Sequence, residues 1–222
     1  MTAIGTNSLT ANTTGVQNTA IGYNTLAANL IGIGCTAVGY NTLALCTGSS
    51  NTAIGSAALD TLSSGAQCTA VGTNALTAQT TASDATAIGY NALAANTAAN
   101  NTAVGSGALQ LNTSGIQNTA VGYNTLAAML TGAGCTAVGF NALALCTGAG
   151  NTGIGSTALD SCTSGIQNTA LGAQALTAQA TANDATAIGY NALAANTAAQ
   201  NTAVGSGSLQ LNTSGTLNTA VG

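Results

Sequence analysis

The chain has 222 residues and a net charge of −4, with no Lys, Arg or His and only Asp60, Asp84, Asp160 and Asp184 as acids. Without cations to displace counterions from phosphate it is not built to bind nucleic acid or to grip an anionic lipid surface. It also has no His, no paired carboxylates and no Cys–His couple for acid–base or nucleophilic work, so no catalytic residue, cofactor site or enzyme activity is expected.

The first predicted element is a short strand at Thr2-Ala3-Ile4-Gly5, followed by Leu9 and the polar loop Asn12-Thr13-Thr14-Gly15. The same order returns at Thr19-Ala20-Ile21-Gly22-Tyr23-Asn24-Thr25-Leu26, and copies start at residues 2, 19, 36, 52, 69, 86, 102, 119, 136, 152, 169, 186, 202 and 219. Their spacing of 17, 17 and 16 residues marks stacked units that cannot bury an apolar face alone. A helix is excluded by the Gly inside each apolar segment and by the Thr and Ile/Val beside it. Alternation in the strand puts Thr and Ile/Val on one face, Ala and Gly on the other. The Gly, followed by pairs such as Tyr23-Asn24 and Tyr90-Asn91, makes a corner able to take positive φ. A second short strand is expected to carry the Leu, as in Ala92-Leu93-Ala94, before a loop leads to the next copy. Asn, Thr and Gly interrupt every apolar run well short of the roughly 20 residues of a spanning helix, so membrane insertion is not expected. Proline is absent, as suits a chain whose backbone amides are all needed for ladder hydrogen bonds.

The fold expected is all-β, a parallel β-solenoid or β-roll of 16–17-residue rungs stacked about 4.8 Å apart. Its core columns are expected to be Ile21, Val38, Ile54, Val71 and Ile88 from the strands, with Leu26, Leu43, Leu59, Leu76 and Leu93 from the second segment. The Ala and Gly face is then small, flat and apolar, and predicts close lateral association of chains. A longer period lies over the first: residues 2–100 align without a gap on 102–200, with 70 of 99 positions identical. One continuous repeat region over 1–222 therefore divides into blocks 2–101 and 102–201 and a partial block 202–222. The repeat runs unchanged to the last residue, which is read as a segment of a longer fibre or a subunit that continues end to end with others.

The motif Asn-Thr-Ala-Ile-Gly-Tyr-Asn-(Thr/Ala)-Leu, repeated along essentially the whole chain, resembles the repeats of phage and viral tail fibres and the head repeat of YadA-type trimeric autotransporter adhesins. The resemblance implies a left-handed parallel β-roll, three chains side by side, and a role in attachment or as a stiff shaft outside the cell or on a virion. The rung is longer than is usual in the adhesin heads, and it contains cysteines.

The cysteines occupy two columns. Cys35, Cys68 and Cys135 directly precede a strand, and Cys46, Cys146 and Cys162 lie ten residues after a strand's Thr. Cys146 and Cys162 fall on adjacent rungs, within disulfide reach, so a staple in an oxidising setting stands beside the alternative of small buried fillers. No metal site is expected, since the four Asp never cluster and no His is present. Tyr23, Tyr40, Tyr90, Tyr123, Phe140 and Tyr190 share the corner column, either as a surface row for a sugar or host receptor or as cover for the turn. Asn12, Asn112 and Asn212 head glycosylation sequons one block apart, with an ordinary polar loop as the other reading. Two functions compete. One is an extracellular structural or adhesive fibre that self-associates as a homotrimer or head-to-tail polymer and touches a host-surface receptor or glycan. The other is an ice-binding solenoid using the Thr column, weakened by the expectation that Thr shares a buried face with Ile/Val.

Overall fold

The structure, a computed structural model, describes residues 1–222 and forms two compact units, Met1–Ser114 and Gly115–Gly222. The first holds β1 (Thr2–Ile4), β2 (Thr19–Tyr23), β3 (Thr36–Tyr40), β4 (Thr52–Ile54), β5 (Thr69–Val71), β6 (Thr86–Ile88) and β7 (Thr102–Val104). Each strand pairs in parallel with the next, like residue on like residue, as in Thr36↔Thr52, Ala37↔Ala53 and Val38↔Ile54. The second unit repeats this with β8 (Thr119–Val121), β9 (Thr136–Val138), β10 (Thr152–Ile154), β11 (Thr169–Leu171), β12 (Thr186–Ile188), β13 (Thr202–Val204) and β14 (Thr219–Val221). Each unit is thus a parallel β-solenoid, and neither contains a helix.

Two sequence expectations are corrected here. The rung has one strand and not two: the segment around Ala92-Leu93-Ala94 is a run of turns. Within it the chain takes left-handed backbone at Asn and again at Leu, with φ of 55° at Asn24 and 48° at Leu26, and the pattern recurs rung after rung. A leucine there costs on the order of 1–2 kcal/mol. The conformation persists because it turns Leu26, Leu43, Leu59, Leu76 and Leu93 fully into the coil, where burial stabilises each by roughly 1.5–3 kcal/mol.

The second correction concerns the strand faces. Ala20, Ala37, Ala53, Ala70 and Ala87 are fully buried, whereas Ile21, Ile54 and Ile88 are 37%, 41% and 40% exposed. Val38 and Val71 are half-buried. The Ile/Val column is therefore on the outside and Ala lines the interior. The width of the coil decides this. At Gly153, which stands in the Ala column, a Cβ would lie 3.0 Å from Leu143 Cγ. The leucine already fills the space beneath the strand, and only a methyl group fits above it.

Two further inward columns are largely polar. The residue before each strand is often an Asn that braces the next rung: Asn18 Oδ1 accepts from the Cys35 N–H at 2.9 Å, and Asn18 Nδ2 donates to the Gly32 carbonyl at 2.7 Å. Asn51 does the same with Cys68 and Gly65, and in the second unit Asn118 does so with Cys135 and Gly132. The column ten residues after the strand Thr adds its own links. Asn96 Nδ2 donates to Gln79 Oε1 at 2.6 Å, and Asn196 Nδ2 donates to Gln179 Oε1 at 2.7 Å. Buried amides satisfied in this way hold each rung over its neighbour, and one left unpaired would cost about 1–3 kcal/mol.

The 16-residue rungs lose their residue from the loop. Each of these loops carries a Thr whose N–H and hydroxyl both donate to one carbonyl of the next rung, Thr47 to Ser63 at 2.7 and 2.8 Å and Thr147 to Thr163 at 2.7 and 2.6 Å. The strand-side glycine has no such latitude. Gly55 has φ +134°, and a Cβ there would meet the Gly72 carbonyl oxygen at 2.6 Å, while nothing lies within 4 Å of a Cβ on Gly34. Gly55→Ala is expected to cost roughly 2–6 kcal/mol from backbone strain and overlap together, and Gly34→Ala about 1 kcal/mol. Denaturant unfolding of the two variants checks the difference.

Candidate functional site: the outward strand face

Turning Ala inward places both Thr and Ile/Val outward on every rung. In the first unit Thr19, Thr36, Thr52, Thr69, Thr86 and Thr102 form a half-buried row, and in the second Thr119, Thr136, Thr152, Thr169, Thr186 and Thr202 do the same. Beside each row runs an apolar one, with Ile154, Leu171 and Ile188 exposed in the second unit as Ile21, Ile54 and Ile88 are in the first. Register keeps like over like, so each face is a regular uncharged grid of hydroxyls and branched aliphatic groups.

The corner aromatics border this face. Tyr23 stacks on Tyr40 with ring centroids 5.3 Å apart and planes 11° from parallel, and Tyr123 stacks on Phe140 at 5.5 Å and 10°. All six corner rings, Tyr90 and Tyr190 included, are about half exposed. The two pairs stack along the coil axis, and all six rings project into solvent. Below the rings the Asn column takes left-handed backbone, and Asn24 Nδ2 donates to Asn41 Oδ1 at 3.0 Å.

The sequon asparagines do not present themselves for modification. Asn112 is fully buried and its Nδ2 donates to Asn96 Oδ1 at 2.6 Å. Asn12 Nδ2 donates to the Gly15 carbonyl at 3.0 Å, and Asn212 Nδ2 donates to Asn196 Oδ1 and Gly15's counterpart Gly215 at 2.9 and 3.0 Å. They belong to the second inward column, which turns the amide nitrogen that a glycan needs into the coil. The sequence signal for that column is its restriction to Asn, Gln, Cys, Leu and Met, with no Ser, Thr or Asp at any of its positions.

All six cysteines are buried thiols in the two inward columns. Cys146 and Cys162 sit on adjacent rungs with their sulfurs 3.6 Å apart. No group of three or more His, Cys, Asp or Glu side chains is placed to hold a metal ion, and no helix is long and apolar enough to cross a membrane.

Asp60 and Asp160 recur at one block position, half-buried beside the turn. Burial raises the pKa of both carboxyl groups, against opposing hydrogen bonds from Thr61 and Ser161. A folded-state pKa above the unfolded one gives stability that is fully present below the unfolded value and is lost as pH rises through the folded value. Thermal unfolding is therefore expected to shift upward as pH falls through the carboxylate range. Asp60→Asn with Asp160→Asn is expected to raise the midpoint at pH 7 and flatten this response.

No family model, no curated protein and no solved structure matches the chain.

Proposed function

We propose that the chain is a shaft segment of an extracellular or virion attachment fibre, in which three copies associate side by side through their outward strand faces. One observation carries this reading: on each unit the Ile/Val column stands exposed in strict register, with no charge on it or beside it. Removing a half-exposed Ile from water contributes on the order of 1 kcal/mol, and a rung-by-rung repeat multiplies that term along the contact. Exposed apolar stripes of this kind mark association surfaces. The side of the strand differs from the sequence expectation: the small Ala and Gly face is consumed inside the coil, so the lateral contact falls to Thr and Ile/Val. The likeness of the repeat to tail fibres and trimeric adhesin heads points the same way, as does a composition with no catalytic group. Light scattering is expected to give a discrete mass of three chains of 21.0 kDa each. Ile54→Asp with Ile154→Asp, both on exposed positions, is expected to reduce it to one chain while the fold persists. A wild-type mass of one chain would end the proposal.

A second reading is favoured by the orientation of the threonines. With Thr and Ile/Val both outward and the Thr row half-buried, the face offers evenly spaced hydroxyl and methyl groups that an ice surface can accept. The two readings need the same face in opposite states, covered by copies or open to water. A monomer showing thermal hysteresis in an osmometer, abolished by Thr69→Tyr with Thr86→Tyr, would assign the face to ice. Freezing at the colligative point leaves it to assembly.

A further inference from the structure

The two inward columns face one another across the coil, and the residues eleven apart in sequence meet there. Gln179 Nε2 donates to Asn168 Oδ1 at 3.3 Å across this gap. Asn18 and Asn29 share the Gly32 carbonyl at 2.7 and 3.3 Å. On one rung of each unit the polar pair is replaced by two thiols. Cys35 and Cys46 lie 3.2 and 3.6 Å from the Gly48 carbonyl oxygen, and Cys135 and Cys146 lie at the same distances from that of Gly148. The second unit adds Cys162, whose sulfur is 3.6 Å from that of Cys146. Both blocks keep the paired cysteines although 29 of the 99 aligned positions differ. An isolated filler has no need of a partner, and Cys68 shows that a lone Cys serves in this column opposite Gln79.

We propose that these thiols are oxidation sites inside the coil: peroxide joins Cys35 to Cys46 across one rung, and Cys146 to Cys162 between neighbouring rungs. The bonds form without a partner chain, and the inference is independent of the fibre reading. A peroxide is the oxidant because it is small enough to enter a rung that opens transiently, where a bulky disulfide is not. The Cys35 thiolate attacks one peroxide oxygen, the O–O bond breaks, and the departing hydroxide takes a proton to become water, leaving a sulfenic acid. The Cys46 sulfur then attacks that sulfenic sulfur; the S–S bond forms, the S–O bond breaks, and the hydroxide takes the Cys46 proton and leaves as water. Two thiols are oxidised and one peroxide is reduced to two waters.

The environment fits this division of roles. The hydrogen bond from Cys46 lowers the Cys35 pKa to about 7 against the opposing effect of burial, with further help from the Asn51 and Ser50 backbone. The same bond raises Cys46. In the second unit the contact with Cys146 lowers the Cys162 pKa against the opposing effect of burial. Cys135 is then left reduced.

The test is to treat the folded full chain with hydrogen peroxide, remove the peroxide with catalase, denature, and alkylate the remaining thiols with N-ethylmaleimide. Chymotryptic peptides are then mapped by mass spectrometry, since trypsin has no site. Linked peptides joining Cys35 to Cys46 and Cys146 to Cys162, with Cys68 and Cys135 alkylated, are expected. Alkylated Cys46, a link that includes Cys135 or Cys68, or Cys35 carried to sulfinic acid without a link would overturn the proposal. In Cys46→Leu, which borrows the residue at Leu62 of the same column, Cys35 is expected to stop at a sulfenic acid that dimedone traps. Transfer of its link to another cysteine would count equally against the assignment.

Discussion

The interior of each coil is one leucine wide. That limit decides which side of the strand faces inward, because nothing larger than the methyl of Ala fits over the Leu side chain, and at Gly153 even a methyl would press on Leu143. It also decides the backbone of the facing segment, which must take left-handed turns at Asn and Leu to aim the side chain inward and to close the rung within so few residues. The bulkier Ile, Val and corner aromatics are driven outside as a result. The surface chemistry of the molecule thus follows from what its core excludes.

A core this thin holds little apolar volume, and backbone and amide hydrogen bonds supply the rest of the cohesion. An Asn of the column before the strand bridges two rungs, accepting the N–H of its counterpart on the next rung and donating to a loop carbonyl of that rung, as Asn51 does with Cys68 and Gly65. Where the column holds Cys or Ala instead, the brace comes from the Asn of the rung before, as Asn168 provides for Ala185 at 3.0 Å. Braces on alternate or successive rungs pin the register without charge, which suits a chain with four carboxylates and no cation. Carbonyl-to-glycine proximity then keeps the rungs close on the strand side, where the Gly column lets one backbone approach the next.

Much of this was legible in the sequence. The period, the parallel stacking of like on like, the corner glycine and the buried Leu column follow from residues such as Gly22 and Leu26 recurring at fixed spacing. The strand faces were misjudged because alternation separates two sets without saying which is inside, and hydrophobicity alone favours Ile21 over Ala20. Constancy of size was the better guide: the Ala column admits only Ala and Gly, while the outer column accepts Ile, Val and Leu171. The left-handed leucine was not legible, because Leu carries no turn signature and only the geometry of a very narrow coil makes that backbone worthwhile. The sequons at Asn12, Asn112 and Asn212 left two readings open for a related reason: a three-residue pattern does not report which way an amide points.

The threonine clamps of the short loops carry a consequence for how such a chain changes over generations. Losing a residue at Thr47 or Thr147 leaves the inward columns in register, because the hydroxyl and N–H of one residue clamp a carbonyl of the next rung in short and long loops alike, as Thr13 does with Leu30 at 2.8 and 2.9 Å. A deletion on the strand side has no comparable remedy, since it would bring Ile to the position of Ala and aim it at the Leu. Length variation among the rungs is therefore channelled to one edge of the coil, and that edge is free to differ in reach and chemistry while the opposite edge is held constant.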